Sequence, residues 1–334
     1  MKAMVLEDVA PISTSPLRLK DIPVPEPGPG EVRLKVRCCA ICRTDLHVIE
    51  GDLPKKKLPI VPGHQIVGIV DKVGEGCSII REGERVGAAW LRYTCGDCLF
   101  CNRGQENLCE SSRYTGYHAD GGYAEYAVAP EEFVYPIPEA FNDTDAAPLL
   151  CAGIIGYRAL KRAQVPHGGR LALYGFGSSA HVVMQIAKHR GYRVFVVSRG
   201  EDHLQLARDM GADWAGNDAC DMPEKADSAI IFAPVGHLVP PALEALEKGG
   251  TLALAGIYMT DIPRLNYEKH VFYERDIHSV TANTREDGRQ LFEEAAQIPI
   301  RPHTTVYALE EANKVLRDLK NDRISGTGVL KVSE

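Results

Sequence analysis

The 334-residue sequence predicts an α/β protein in two parts: a β-rich unit, then a unit built on a doubly wound parallel sheet. Three observations carry that expectation. Short β-like runs separated by Pro and Gly fill residues 1 to about 150. From residue 154 onward the pattern changes to strands alternating with helical stretches. A glycine-rich turn, "YGFGSSA", joins the first strand and helix of that second part.

The elements follow in order. "PVPEPGPGEV" (23–32) is a stiff surface segment that feeds a strand. "EVRLKVRCCAI", "QIVGIVDKVG" and "YAEYAVAP" read as strands of the first unit. In the second unit "RLALYGF" (170–176) is a strand, and "SSAHVVMQIAKHRG" is a helix stopped by Gly191. "YRVFVVSR" is the next strand and "EDHLQLARDMGA" a helix. "SAIIFAP" is a strand, "VPPALEALEKGG" (239–250) a helix and "TLALAGIY" a strand. After "DIHSVTA" (276–282) come two helical stretches, "REDGRQLFEEAAQ" and "ALEEANKVLRDLKND". "GVLKV" is a last β segment, expected to return to the first unit. The expected boundaries are 1–153, 154–282 and 283–334.

Composition narrows the function class. Hydrophobic residues make up 45% of the chain and charged residues 25%, ordinary for a soluble globular protein. The net charge of -7 disfavours nucleic acid, and the "KKK" run at 55–57 reads as a solvated loop. No window is apolar enough to cross a membrane, and the N-terminal stretch lacks a secretory apolar run. The expectation is a cytoplasmic protein whose ten cysteines stay reduced.

In the glycine-rich turn, Gly175 allows the tight reversal and Gly177 lets backbone approach a pyrophosphate. Phe176 lies between them, Ser178 and Ser179 open the helix, and Ala180 takes the third fingerprint position. For NAD the second strand should end in an acid that accepts from the ribose 2′-OH. It ends instead in Ser198 and Arg199, which suit a 2′-phosphate, so NADP is favoured over NAD. Glu201 and Asp202 follow and could serve NAD.

"CGDCLFCNRGQENLC" brings Cys95, Cys98, Cys101 and Cys109 into one short lobe, about 95–109. Four thiolates at this spacing suit a closed tetrahedral structural zinc. Ferredoxin-type runs place the fourth cysteine closer and follow it with proline, whereas Glu110 follows here. A thioredoxin-like motif would need a βαβ setting. A closed site leaves no position for chemistry.

A second set, Cys42, Thr44, Asp45, His47, His64 and Cys151, is spaced too widely to be a local motif. Taken singly, each is an unremarkable buried thiol or polar residue. The chain nevertheless resembles the zinc-dependent medium-chain alcohol dehydrogenases over almost its whole length. The matching motifs, in family order, are "GEVRLKVRCCAICRTDLH", "PGHQIVGIVDKVGEG", "CGDCLFCNRGQENLC", "TGYHADGGYAEYA", "LLCAGIIGYRALK" and "GFGSSA". The resemblance implies a GroES-like domain joined to a Rossmann domain, with the active site in the cleft between them. It also implies that Cys42, His64 and Cys151 bind a catalytic zinc, the second of two per chain. Asp45 would orient His64, Thr44 would hydrogen-bond the substrate alcohol, and His47 would relay its proton to solvent. The implied function is hydride exchange between an alcohol and a nicotinamide cofactor, giving an aldehyde or ketone. Substrates would be small molecules, and the assembly a homodimer or homotetramer.

The chain departs from that pattern in two places. Gln65 stands where most members have Glu, and Thr327 where many place an Arg near the cofactor. Both departures motivate a competing expectation, a non-catalytic zinc-stabilised dinucleotide sensor or scaffold. Leu53 and Trp90 match pocket positions of the family and imply a mainly apolar pocket. Cys38, Cys39, Cys77 and Cys220 have no assigned role.

Overall fold

A computed structural model describes residues 1–54 and 56–333, so Lys55 of the "KKK" run lies outside the described residues. The chain forms two compact units. The first comprises Met1–Ala152, Ala282–Ala296 and Pro302–Glu334; the second comprises Gly153–Thr281 and Gln297–Arg301.

The first unit is organised by a seven-stranded sheet. Its path runs Thr304–Ala308, Thr327–Lys331, Glu31–Ala40, Gln65–Val73, Arg85–Ala88 and Val134–Pro136. Tyr126–Pro130 also pairs with Glu31–Ala40. The first two strands on that path run parallel, and every other pairing is antiparallel. Glu31–Ala40 alternates as a half-buried strand should, turning Val32, Leu34 and Val36 into a core with Ile66, Val70, Val86 and Leu330. The last strand of the chain closes onto this one, with Val329 opposite Ala40 and Lys331 opposite Cys38. Straight after Glu31–Ala40 the chain enters the helix Arg43–Glu50, which the strand-oriented sequence reading passes over.

The second unit holds six parallel strands. In sheet order they are Trp214–Gly216, Arg193–Val197, Arg170–Tyr174, Ala226–Ile231, Leu246–Leu254 and Asp276–Ser279. Counted along the chain that order is 3-2-1-4-5-6, the doubly wound arrangement of dinucleotide-binding sheets. The central strands are apolar runs because helices cover both faces of such a sheet. Leu171, Ala172, Leu173, Val194, Phe195 and Val196 are accordingly fully buried. The helix Ser178–His189 contributes Val182, Val183, Met184 and Ile186 to the packing. Gly156 lets that helix come close, since a Cβ there would lie 2.5 Å from Val183 Cγ2.

One expected element is corrected. The helix predicted across 239–250 ends at Glu244, and Leu246–Leu254 is strand. Gly249, with φ +74°, and Gly250 make a helical continuation costly. Arg275 donates to the carbonyls of Leu246 and Glu247, which satisfies them outside a helix.

Candidate metal centres and cofactor turn

The cysteine lobe folds around two short turns. Cys98 caps the single helical turn Leu99–Asn102, and its Sγ accepts from Cys101 N at 3.5 Å. Cys109 Sγ accepts from Cys95 N at 3.4 Å. N–H groups aimed at sulfur favour thiolate, and with Cys101 N as the main cause the Cys98 thiol is lowered to about 7. The four sulfurs lie within 4.8 Å of one another, with Cys95 3.5 Å from Cys109 and 4.0 Å from Cys101. Such separations exclude disulfides and suit the edges of a tetrahedron about zinc.

The second cluster is assembled from three stretches. Cys42 is the N-cap of Arg43–Glu50, where its extended backbone aims Sγ back at the helix N-terminus to accept from Thr44 N. His64 directly precedes the strand Gln65–Val73 and is completely buried. Cys151 sits within a single turn of π-helix, Leu149–Gly153, a rare geometry that often marks functional positions. Cys42 Sγ and Cys151 Sγ are 3.9 Å apart, and the three ligand atoms lie within 4.8 Å of one another.

Asp45 ties the cluster together. Its Oδ2 accepts from Cys42 N at 2.8 Å and from Tyr123 Oη at 3.0 Å. Its Oδ1 accepts from His64 Nδ1 at 2.9 Å. A carboxylate can only accept, so Nδ1 carries the proton and Nε2 is free to ligate. His64 Nε2 is buried without a hydrogen-bond partner, although a buried polar atom ordinarily has one.

The electrostatics agree. Burial disfavours a charged imidazole, but the Asp45 carboxylate and the Cys42 thiolate outweigh it and raise His64 to about 10. The hydrogen bond with Cys151 chiefly lowers Cys42, and the same bond raises Cys151. The set therefore stores exchangeable protons on His64 and Cys151 that a bound dication would displace. Two soft sulfurs and one imidazole nitrogen fit zinc with a fourth position open.

Around this cluster, Thr44 Oγ1 lies 3.6 Å from Cys42 Sγ. Trp90 meets His64 edge-on at 5.0 Å and stacks on Tyr114 at 4.8 Å and Tyr117 at 5.9 Å. Gln65 is buried, with Oε1 lacking a partner. His47 lies in the last turn of Arg43–Glu50, its Nδ1 2.8 Å from Asp52 Oδ2. Leu53 is half-buried, and Thr327 is buried at the start of its strand.

Sequence reasoning missed Tyr123 and Asp52. It also missed the π-turn, which no periodicity announces. The helix start at Cys42 had one readable signal: an acid three residues on, as in a capping box. Cysteine in place of Ser or Thr obscures it.

In the second unit the glycine-rich turn has its predicted form. Gly175 has φ +85°, a conformation side chains rarely adopt. Gly177 caps Ser178–His189, and a Cβ built on it would meet nothing within 4 Å. Gly175 N–H is used within the sheet, on Val197 O at 2.8 Å, and it is the start of the helix, with its positive dipole end, that favours an anion. Ser178 and Ser179 are half-exposed in the first turn, while Phe176 and Ala180 pack inward. Ser198 is buried at the end of the second strand and Arg199 is exposed beside it. Glu201 is held by Arg208 at 2.6 Å.

A thiolate-rich donor set on a β-rich unit, together with this turn on a doubly wound unit, defines the class: a metal-dependent, nucleotide-linked oxidoreductase. Comparison with known proteins then names the family. Residues 28–139 match the alcohol dehydrogenase GroES-like domain, and residues 179–297 match the zinc-binding dehydrogenase domain. The chain is 50% identical to a probable alcohol dehydrogenase, AdhA, of Mycobacterium tuberculosis (strain CDC 1551 / Oshkosh), over 99% of this chain and 97% of that protein. It is 37% identical to an alcohol dehydrogenase of Geobacillus stearothermophilus, with all of both chains covered. A crystal structure of an NAD-dependent alcohol dehydrogenase superposes with a TM-score of 0.90 at 28% identity, covering 100% of both chains.

The chain belongs to the zinc-dependent medium-chain alcohol dehydrogenase family. It is an oxidoreductase that interconverts an alcohol and its aldehyde or ketone by hydride exchange with a nicotinamide cofactor. The expectation of a non-catalytic sensor finds no support in these relatives. No helix among the described residues is long and apolar enough to cross a membrane.

Proposed function

We propose that Cys42, His64 and Cys151 hold the catalytic zinc, and that Cys95, Cys98, Cys101 and Cys109 hold a second, structural zinc. The observation that carries the first assignment is the buried, unpartnered His64 Nε2 beside two sulfurs 3.9 Å apart. Zinc held there supplies Lewis acidity, which eases ionisation of a hydroxyl group. The nicotinamide accepts or returns the hydride.

The chain's own residues do the rest. The Cys42 and Cys151 thiolates balance the dication, and Asp45 fixes the His64 tautomer through Nδ1. The Thr44 hydroxyl, beside Cys42 Sγ, accepts a hydrogen bond from the alcohol and takes its proton as it passes its own on. His47 then receives a proton from that side and releases it to water. The balance is one alcohol and one oxidised cofactor giving one carbonyl compound, one reduced cofactor and one proton. In the reverse direction the same groups return the proton to the carbonyl oxygen. Trp90, edge-on to His64, makes the neighbouring surface apolar, which suits an uncharged substrate.

Gly175, Gly177, Ser178 and Ser179 cradle the cofactor pyrophosphate, and Ser198 and Arg199 receive a 2′-phosphate. NADP(H) is therefore favoured over NAD(H), since Glu201 already pairs with Arg208. In the second unit Ile257, Tyr258, Ile262, Tyr267 and Phe272, in the stretch leading to the sheet's edge strand Asp276–Ser279, and Ile277 within it are exposed. This apolar concentration supports a homodimer or homotetramer, measurable by light scattering after gel filtration. The chain's features suit a cytoplasmic enzyme.

The test is metal content together with turnover. Two zinc per chain, and hydride transfer with simple and aromatic alcohols that prefers NADP(H), would support the reading. One zinc per chain, retained after Cys42→Ser, would overturn the catalytic assignment.

A further inference from the structure

The turn after the helix Arg43–Glu50 places a carboxylate on His47. Gly51 takes a left-handed conformation, φ 81°, and its N–H donates to His47 O. Asp52 N also donates to His47 O, at 3.0 Å. The chain thereby folds back over the helix end and sets the Asp52 carboxylate against the imidazole five residues earlier, with Oδ2 2.8 Å from Nδ1. Three contacts to one residue, two of them backbone, hold the pair in a fixed relation.

We propose that Asp52 is a positioning residue that fixes the tautomer of His47 and so chooses which nitrogen accepts the proton. A carboxylate only accepts, so Nδ1 must carry a hydrogen and donate it to Oδ2. In the neutral ring that leaves Nε2 as the basic nitrogen. A neutral imidazole in water prefers the opposite tautomer, with hydrogen on Nε2, so without Asp52 the accepting nitrogen would mostly face the wrong way. The logic is that of a carboxylate orienting a catalytic imidazole, where replacing the acid with its amide costs rate by allowing the wrong tautomer. When Nε2 gains its proton, the ring hands a proton on to solvent and returns to the tautomer that Asp52 selects. The Asp52 side chain is 41% exposed and water shares its work, so its contribution is a fraction of a full general base. The inference rests on the reading of His47 as the proton relay.

Three zinc-loaded proteins test it: the parent, Asp52→Asn and His47→Gln. Each is labelled with 15N-histidine, with the His47 ring resonances identified by their loss in His47→Gln. The readouts are the protonation pattern of the two ring nitrogens and kcat for alcohol oxidation. The expected parent pattern is hydrogen on Nδ1 and a bare Nε2. Asp52→Asn should move the population toward hydrogen on Nε2. It should also lower kcat about tenfold, below the roughly 10²–10⁴-fold of a complete general acid–base group. Unchanged kcat in His47→Gln would overturn the relay reading, and the positioning role of Asp52 with it. A slow His47→Gln beside an Asp52→Asn protein with parental tautomer or parental kcat would overturn the Asp52 inference alone.

Discussion

Replacing Asp45 with Asn is the sharpest perturbation of the proposed catalytic donor set, because one buried carboxylate serves three donors. Asp45 is 2% exposed and accepts from His64 Nδ1, Cys42 N and Tyr123 Oη. Asparagine keeps the shape but has one accepting oxygen. If that oxygen stays on His64, the amide nitrogen faces two donors. Tyr123 can turn its hydroxyl to accept, but Cys42 N–H cannot, and a buried unsatisfied donor costs about 1–3 kcal/mol. If the amide flips, His64 meets an N–H and its hydrogen moves to Nε2, the nitrogen that must ligate. Loss of such an outer partner lowers metal affinity roughly 10–100-fold, or about 1.4–2.8 kcal/mol. That second penalty exists only with metal bound. Urea unfolding of Asp45→Asn should thus show about 1–3 kcal/mol lost in zinc-loaded protein, whichever way the amide sits, and a smaller loss in zinc-stripped protein, where the flipped amide satisfies Cys42 and His64 is free to change tautomer. Chelator-driven zinc loss should be faster from the Cys42 set and unchanged from the cysteine lobe. Equal destabilisation with and without zinc, and an unaltered rate of zinc loss, would refute the account of Asp45 as the residue that orients His64.

Four other outcomes are expected. Gly63→Ala should destabilise the first unit by about 2–4 kcal/mol in thermal unfolding, since φ is +98° and a Cβ would lie 2.4 Å from Tyr123 Cδ1. Cys98→Ser should remove one zinc per chain and open 95–109 to limited proteolysis, while the zinc at Cys42, His64 and Cys151 is retained. Arg199→Ala should raise KM for NADPH about tenfold with little change for NADH; equal effects on both would refute the 2′-phosphate assignment. The fourth concerns pH. The hydrogen bond from Arg170 chiefly holds Asp227 below the usual carboxylate value, through contacts of 2.7 and 2.9 Å. A carboxylate depressed on folding stabilises above its unfolded pKa and loses that contribution as pH falls through the folded value. Asp227→Asn should therefore be less stable than the parent near neutrality, with the gap closing only in strong acid. A gap that is constant with pH would refute this.

Much of the fold was legible in the chain itself. The strand–helix alternation after residue 154 and the glycine-rich turn need only local physics, since period and chirality decide them. The cysteine lobe was legible too, because all four ligands fall within fifteen residues and two turns suffice to gather them. The helix expected over 239–250 failed where a non-local partner, Arg275, satisfies carbonyls that a helix would otherwise use.

The proposed catalytic donor set divides along the same line. Residue type and motif pointed to Cys42, His64 and Cys151, but 22 and 87 positions separate them along the chain, and only folding brings their ligand atoms within 4.8 Å. The capping geometry that turns Cys42, the π-turn that presents Cys151 and the three-way clamp on Asp45 belong to the tertiary structure. So does Tyr123, whose hydroxyl reaches Asp45 across 78 residues. Sequence by itself determined which chemistry the chain can carry, because ligand identity is a property of side chains. Tertiary structure decided which atoms are left unpaired in a dry interior, and only such atoms are free to bind.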